Sequence, residues 1–176
     1  MLITKYSHHS LGPTHHLSDK GMFWGYASTP SVDHAGDRIS KGAFGQSLQQ
    51  WQSQHQRWPH LYEEHDQERL VGTCKTLKET DQGLYVVGKL FLDDIPRATT
   101  VYEQMLSGES CGLSIGFYVL KSISSKGERV ISQLDLREIS IVQHPCNPEA
   151  HIHECKNDHD PTLHQMQAFL RVLKMT

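Results

Sequence analysis

The stretch Cys111-Gly112-Leu113-Ser114-Ile115-Gly116-Phe117 constrains this chain more than any other segment. It sets a small hydroxyl residue between two glycines and runs straight on into Tyr118-Val119-Leu120. A hydroxyl acts as a nucleophile only beside a base, on backbone that leaves room for a carbonyl to approach. The glycines give that room, because each removes a Cβ atom. The pattern also fits G-x-S-x-G, the sharp strand-to-helix turn of the α/β-hydrolases. Here Ile115, Phe117, Tyr118 and Val119 favour a strand instead. The downstream histidines, from His144 onward, lie near the end of a chain short for that fold. Ser114 is therefore expected inside a strand, with its base supplied from upstream.

His65 is the candidate base. It follows Leu61-Tyr62-Glu63-Glu64 and precedes Asp66, a strand end running into polar residues where an imidazole stays partly accessible. A histidine neutral near physiological pH can accept a serine proton and return it to a leaving group. A third group must hold the tautomer and stabilise the imidazolium. Glu138 is a carboxylate in the otherwise apolar run from Leu134 to Val142. Strand alternation puts it on one face with Leu136, Ser140 and Val142, and a carboxylate facing inward needs a partner. Arg137 or a surface lysine would satisfy it equally well, so the residues alone leave a catalytic and a structural role open. Cys111 sits an odd number of positions from Ser114, which points its thiol to the other strand face as a packing residue.

The length, 176 residues, suits one domain with a real core. A net charge of -3 offers no electrostatic reason to expect nucleic acid or an anionic membrane as a partner. Residues 1–20 hold no apolar core of signal-peptide length, and nothing later approaches a membrane span. The chain reads as cytoplasmic, with its four cysteines as reduced thiols.

Residues 1–20, with His8, His9, His15 and His16, read as a flexible polar tail, 21–150 as the folded domain, and 151–176 as a polar linker with a final helix. Strands are expected over 21–28, 58–65, 70–78, 83–91, 110–122 and 130–142, and a loop over 33–39. One helix is expected over 41–54, with Phe44, Leu48 and Trp51 a turn apart. A second starts near Asp94 and Pro96, carries Ala98, Val101, Tyr102, Met105 and Leu106 as one stripe, and stops at Gly108. The last, over 161–175, uses Leu163, Met166, Phe169, Leu170 and Leu173. The sum is an α+β fold, a mainly antiparallel or mixed, barrel-like sheet with packed helices.

His144, Cys146, His151, His153, Cys155 and His159 crowd one stretch, and Cys with His suits zinc. The spacing lacks a C-x-x-C or H-x₃₋₅-H pair, which favours a polar linker. No metal or cofactor is expected.

Taken in order, these fragments resemble the tailed-phage prohead (capsid maturation) protease family, serine peptidases similar in fold to the herpesvirus assemblin proteases. The resemblance runs from about Gly25 to Ala150. It rests on Gly25-Tyr26-Ala27-Ser28, Gly36-Asp37-Arg38-Ile39, Lys41-Gly42-Ala43-Phe44 and His65-Asp66. It continues through Val71-Gly72, Gly83-Leu84-Tyr85-Val86, the Ser114 segment, Leu136 to Val142, and Pro145 with Asn147 and Ala150. The resemblance implies Ser114 as nucleophile, His65 as general base and Glu138 as third member, with His144 a lower-ranked rival for that place. It also implies cleavage of scaffold and major capsid protein segments, and of the chain itself, inside a procapsid assembling in the host cytoplasm. Pairing of two copies through helices is a further implication. A catalytically inactive assembly or scaffolding protein of the same fold, and a zinc-binding protein using the C-terminal Cys/His segment, are the alternatives.

Overall fold

The structure, a computed structural model, describes residues 21–125 and 127–153. Strand β1 (Met22–Ser28) alternates buried and half-buried positions, turning Phe23 and Ala27 into the core. Short β2 (Asp37–Ile39) leads to helix α1 (Gly45–Gln50), which runs on through a π-helical turn at Trp51–His55. Then follow β3 (His60–Glu63), β4 (Asp66–Thr80) and β5 (Gly83–Leu90). Helix α2 (Pro96–Ser107) precedes the long pair β6 (Gly112–Ser125) and β7 (Glu128–Val142), and β8 (Ile152–His153) closes the described chain.

These strands form one mixed sheet in the order β2-β7-β3-β4-β5-β1-β8, with β6 also paired to β7. β7 is its spine: β6 runs antiparallel to it, while β2 and β3 pair with it in parallel at Arg129–Ile131 and Ile139–Ile141 respectively. Residues 150–152 draw the ends of the sheet together. Tyr26 N–H donates to the His151 carbonyl at 3.1 Å, Leu113 N–H to the Ala150 carbonyl at 3.0 Å, and Ile152 N–H to the Cys111 carbonyl at 2.9 Å. The expected α+β architecture with a large mixed sheet forms, but the barrel is not closed: at that seam a single bridge between Gly112 and His151 stands in place of a continuous ladder.

The core explains the arrangement. The second half of β7 is buried on both faces, as its β-branched run requires. Ile131, Leu134, Leu136, Ile139 and Ile141 are fully enclosed, each such side chain worth about 1.5–3 kcal/mol of transfer free energy. Helix α2 buries Ala98, Val101 and Met105, the stripe read from sequence, and ends at Gly108 with φ 79°, a left-handed cap suited to glycine.

Four details differ from the sequence reading. The loop expected over 33–39 ends in β2, because Asp37 to Ile39 find an open edge of β7 that no local pattern announces. β4 begins at Asp66, four residues earlier than expected, since it is hairpin-paired to β3 and starts directly at that turn. The first helix is shorter, its last turn loosened into the π form before Gln56 at φ 52°. Helix α2 begins at Pro96 and not at Asp94, with Ile95 before it making no side-chain capping hydrogen bond. The tail over 1–20 and the helix expected over 161–175 lie outside the described residues.

The β6–β7 register shifts between Gly116, opposite Glu138, and Phe117, opposite Leu136. Arg137 is the extra residue of this β-bulge, a device that re-aims neighbouring side chains. The peptide groups displaced there are satisfied by the first helical segment. Leu136 N–H donates to Ser47 Oγ at 2.8 Å, and Trp51 Nε1–H donates to the Leu136 carbonyl at 2.9 Å.

Candidate active site

Ser114 lies in the interior of β6, directly opposite Ser140 of β7, so the strand reading holds and the hydrolase elbow is absent. On the other edge of β7, Tyr62 pairs with Ser140 and Glu63 with Ile141. That parallel pairing delivers the β3–β4 turn to the same point. Glu64 (φ 50°) and His65 (φ 61°) are its two central residues, between the paired Glu63 and Asp66. Two positive φ angles are the mark of a type I′ hairpin turn, in which Asn and Gly are the usual residues. Neither glutamate nor histidine adopts that conformation freely, at a cost on the order of 1 kcal/mol each. Three contacts hold the turn. Glu64 N–H donates to the Ile141 carbonyl (3.1 Å), His65 N–H to Ser140 Oγ (3.2 Å), and Gln143 N–H to the Glu64 carboxylate (2.7 Å).

The His65 ring sits between the other two predicted residues. Its Nε2 is 2.9 Å from Ser114 Oγ, and its Nδ1 is 2.6 Å from Glu138 Oε1. The second carboxylate oxygen of Glu138 accepts the Ser140 hydroxyl at 2.6 Å. An ionised Glu138 accepts only, so Nδ1 carries the proton and Nε2 presents its lone pair to the serine hydroxyl. Glu138 and Ser114 are 6% and 9% exposed, while the His65 side chain keeps 45% of its surface open. The hydrogen bond to Glu138 raises the imidazole above its ordinary pKa; burial opposes this, and the charges of Glu138 and Glu64 add to the rise. Such an array can draw the proton off a hydroxyl and hold the resulting imidazolium.

Gly116 makes the array possible. It faces Glu138 across the ladder, and a Cβ there would come within 2.3 Å of Oε1 and 2.8 Å of Cγ. The carboxylate therefore lies over bare backbone to reach His65. Gly116→Ala is expected to push Glu138 off the imidazole, read as a fall in the His65 pKa by NMR, with a destabilisation of about 1–3 kcal/mol. An unchanged His65 titration would show that the strand yields instead.

The other candidates lie elsewhere. Arg137 pairs with Asp135 at 3.2 Å and covers the Tyr118 ring, so it does not neutralise Glu138. His144 is exposed beyond the end of β7, and Nδ1 of His65 is already engaged by Glu138. The Cys111 thiol points at the Met105 carbonyl, 3.8 Å away. His151 and His153 hold their rings 5.8 Å apart, with His153 stacked on Trp24, and Cys155 and His159 lie outside the described residues. Among the described residues no three metal-ligating side chains gather. Sequence reasoning missed Ser140 as part of the site, and it gave Gly116 the task of leaving room for a substrate carbonyl, whereas the space is taken by the Glu138 carboxylate. The only signal for Ser140 was its place two residues after Glu138 on one strand face.

Ser114 and His65 open onto a cleft of about 250 Å³. Ala27, Ile39, Ile115 and Phe117 give it apolar walls, while Thr29, Asp33 and Asn147 line its polar side. Asn147 is tied down by its amide, which donates to the Thr29 carbonyl at 3.1 Å.

A sequence profile for the caudovirus prohead serine proteases matches residues 12–165. The chain belongs to that family. It is 32% identical over 157 residues to the prohead protease of Enterobacteria phage HK97, an alignment covering 86% of this chain and 68% of that protein. It is 30% identical over 142 residues to the prohead protease of Escherichia phage T5, covering 78% and 65% respectively. The chain thus spans about two thirds of the length of these two prohead proteases. Among solved structures, the bacteriophage T4 capsid assembly protease superposes with a TM-score of 0.57 at 11% identity, over 70% of this chain and 82% of that one. At that identity the likeness extends to the fold. In this chain the Ser114–His65–Glu138 array lies at the junction of β6, β7 and the β3–β4 turn.

Proposed function

We propose that this chain is a serine endopeptidase of capsid maturation, cleaving scaffold and major capsid protein segments, and itself, inside the procapsid assembling in the host cytoplasm. The observation that carries the reading is the His65 imidazole bridging Ser114 Oγ and Glu138 Oε1 at 2.9 and 2.6 Å. Family membership and the two prohead protease relatives support the biological setting.

In this mechanism Ser114 Oγ attacks the scissile carbonyl carbon as its proton passes to His65 Nε2. Glu138 stabilises the imidazolium without taking the Nδ1 proton. The tetrahedral intermediate collapses when His65 gives its proton to the departing amine, which breaks the C–N bond and leaves an ester on Ser114. Water then attacks the ester, losing its proton to His65, and that proton returns to Ser114 Oγ. The shallow, partly apolar cleft beside Ser114 suits a short extended stretch of polypeptide. Two copies would pair through helices, as the family resemblance implies.

Catalysis requires His65 neutral. Because its pKa is raised, the protonated, inactive form persists to higher pH than for a free histidine. The acid limb of kcat/KM is therefore expected above the ordinary value of about 6.5, with activity rising as pH increases through it. A limb below that value would contradict the Glu138 pairing.

The function itself is tested by co-expressing the chain with its phage's major capsid protein, wild type against Ser114→Ala, and weighing the fragments by mass spectrometry. Trimming by the wild type alone is expected. Trimming by both would remove Ser114 as nucleophile, and trimming by neither would remove the capsid protein as substrate.

A further inference from the structure

Ser140 is fully enclosed, a hydroxyl between the apolar Ile139 and Ile141. Burying an unpaired hydroxyl is costly, and strands have cheaper ways to fill a core position. Here the oxygen has two uses at once. Its hydrogen goes to Glu138 Oε2 at 2.6 Å, and its lone pair accepts the His65 backbone N–H at 3.2 Å. One atom thus touches both the carboxylate that holds the imidazole and the backbone that carries it. The backbone of Ser140 also pairs with Ser114 on one side and Tyr62 on the other, so the position is common to all three strands of the site.

We propose that Ser140 is a positioning residue of the proton relay: its hydroxyl fixes the angle between the Glu138 carboxylate and the His65 ring. The proposal rests on the Ser114–His65–Glu138 reading. Two soft degrees of freedom make such a part necessary. A glutamate carboxylate rotates broadly about its last torsion, since that torsion has no deep staggered wells. His65 sits in a left-handed turn conformation that is uncommon for any residue but glycine. The Ser140 oxygen restrains both, by holding Oε2 and by anchoring the His65 amide. The remaining titratable neighbours do neither. Glu64 lies on the turn with its carboxylate held by Gln143 N–H, and Cys74, buried on β4, meets Glu138 only as a neutral thiol whose pKa burial raises. Loss of the hydroxyl leaves Glu138 free to swing from Nδ1.

The probe is a fluorophosphonate, which labels an activated serine without any need for a cleavage sequence. Its second-order labelling rate is followed across mildly acidic to mildly alkaline pH, with the labelled peptide identified by mass and the folded fraction measured in parallel. Ser140→Ala is expected to label Ser114 about 10- to 100-fold more slowly per folded molecule, as for a lost hydrogen bond to a charged group. Its acid limb should move to lower pH, because His65 loses the carboxylate that raised it. Ser140→Thr, which keeps the hydroxyl, should restore the limb. A Ser140→Ala protein that is merely less stable, with labelling rate and acid limb unmoved, overturns the proposal, as does a limb displaced upward. Failure of the underlying triad reading is distinguishable: wild type would then be labelled no faster than Ser114→Ala, at any pH.

Discussion

Ser114→Ala is expected to lower peptide-bond cleavage by on the order of 10⁴ to 10⁶ in turnover while leaving the fold intact. The large loss follows from removing the only atom that bonds to the substrate; the imidazole and the cleft remain but have nothing to activate. The small structural cost follows from the surroundings. Ser114 Oγ contacts His65 Nε2, whose side chain is nearly half open to solvent, so water can satisfy the orphaned nitrogen. The β6 ladder uses the Ser114 backbone and not its hydroxyl. Purified variant and wild type, compared on capsid precursor and by thermal unfolding, check both halves. A variant that trims the precursor at the wild-type rate, freed of host proteases, would remove the nucleophile from the mechanism.

Glu138→Gln should reduce turnover by about 10⁴ although the side chain keeps its shape. The reason lies in which way the amide must turn. The Ser140 hydroxyl already accepts the His65 N–H, and its one hydrogen seeks an acceptor at the Oε2 position. The amide oxygen is drawn there, which leaves the NH₂ group facing His65 Nδ1. An imidazole that accepts at Nδ1 carries its proton on Nε2 and cannot take one from Ser114. The same change removes the Glu138 charge and hydrogen bond that raise the His65 pKa, so burial outweighs the smaller rise left by the Glu64 charge and the imidazole should titrate below its ordinary value. NMR of the His65 ring in the variant measures that shift directly. A ring pKa equal to the wild type, or full activity, would show that Glu138 is only a structural partner.

The contrast between Glu138 and Arg137 shows where sequence reading reaches its limit. Alternation along β7 correctly turned Glu138 inward, but nothing local could tell whether Arg137 was its counter-ion. The bulge at Arg137 decides that, and its stability depends on Ser47 and Trp51 from a helix nearly ninety residues earlier in the chain. The same holds for β2. Its three residues end the turn-rich stretch 33–39 and become a strand only because β7 offers an unpaired edge. Helix α2, by comparison, was legible almost to the residue, since its stripe, its Pro96 and its Gly108 cap are all local signals.

Sequence alone determined that Ser114 stands in a strand, that Glu138 faces the core and that His65 lies where a strand gives way to polar residues, because side-chain alternation and turn chemistry depend on near neighbours. That His65 is in the turn itself, two residues past the end of β3, came from the structure. It determined the family too, through the ordered set of short fragments that the prohead proteases share. Only the tertiary structure decided that these residues meet. The parallel pairing of β3 with β7 brings the His65 turn to Ser140, the bulge and Gly116 let Glu138 lie across β6, and one buried hydroxyl links carboxylate to turn. Those are contacts between residues dozens of positions apart, and no period of two or of 3.6 records which strands will lie side by side.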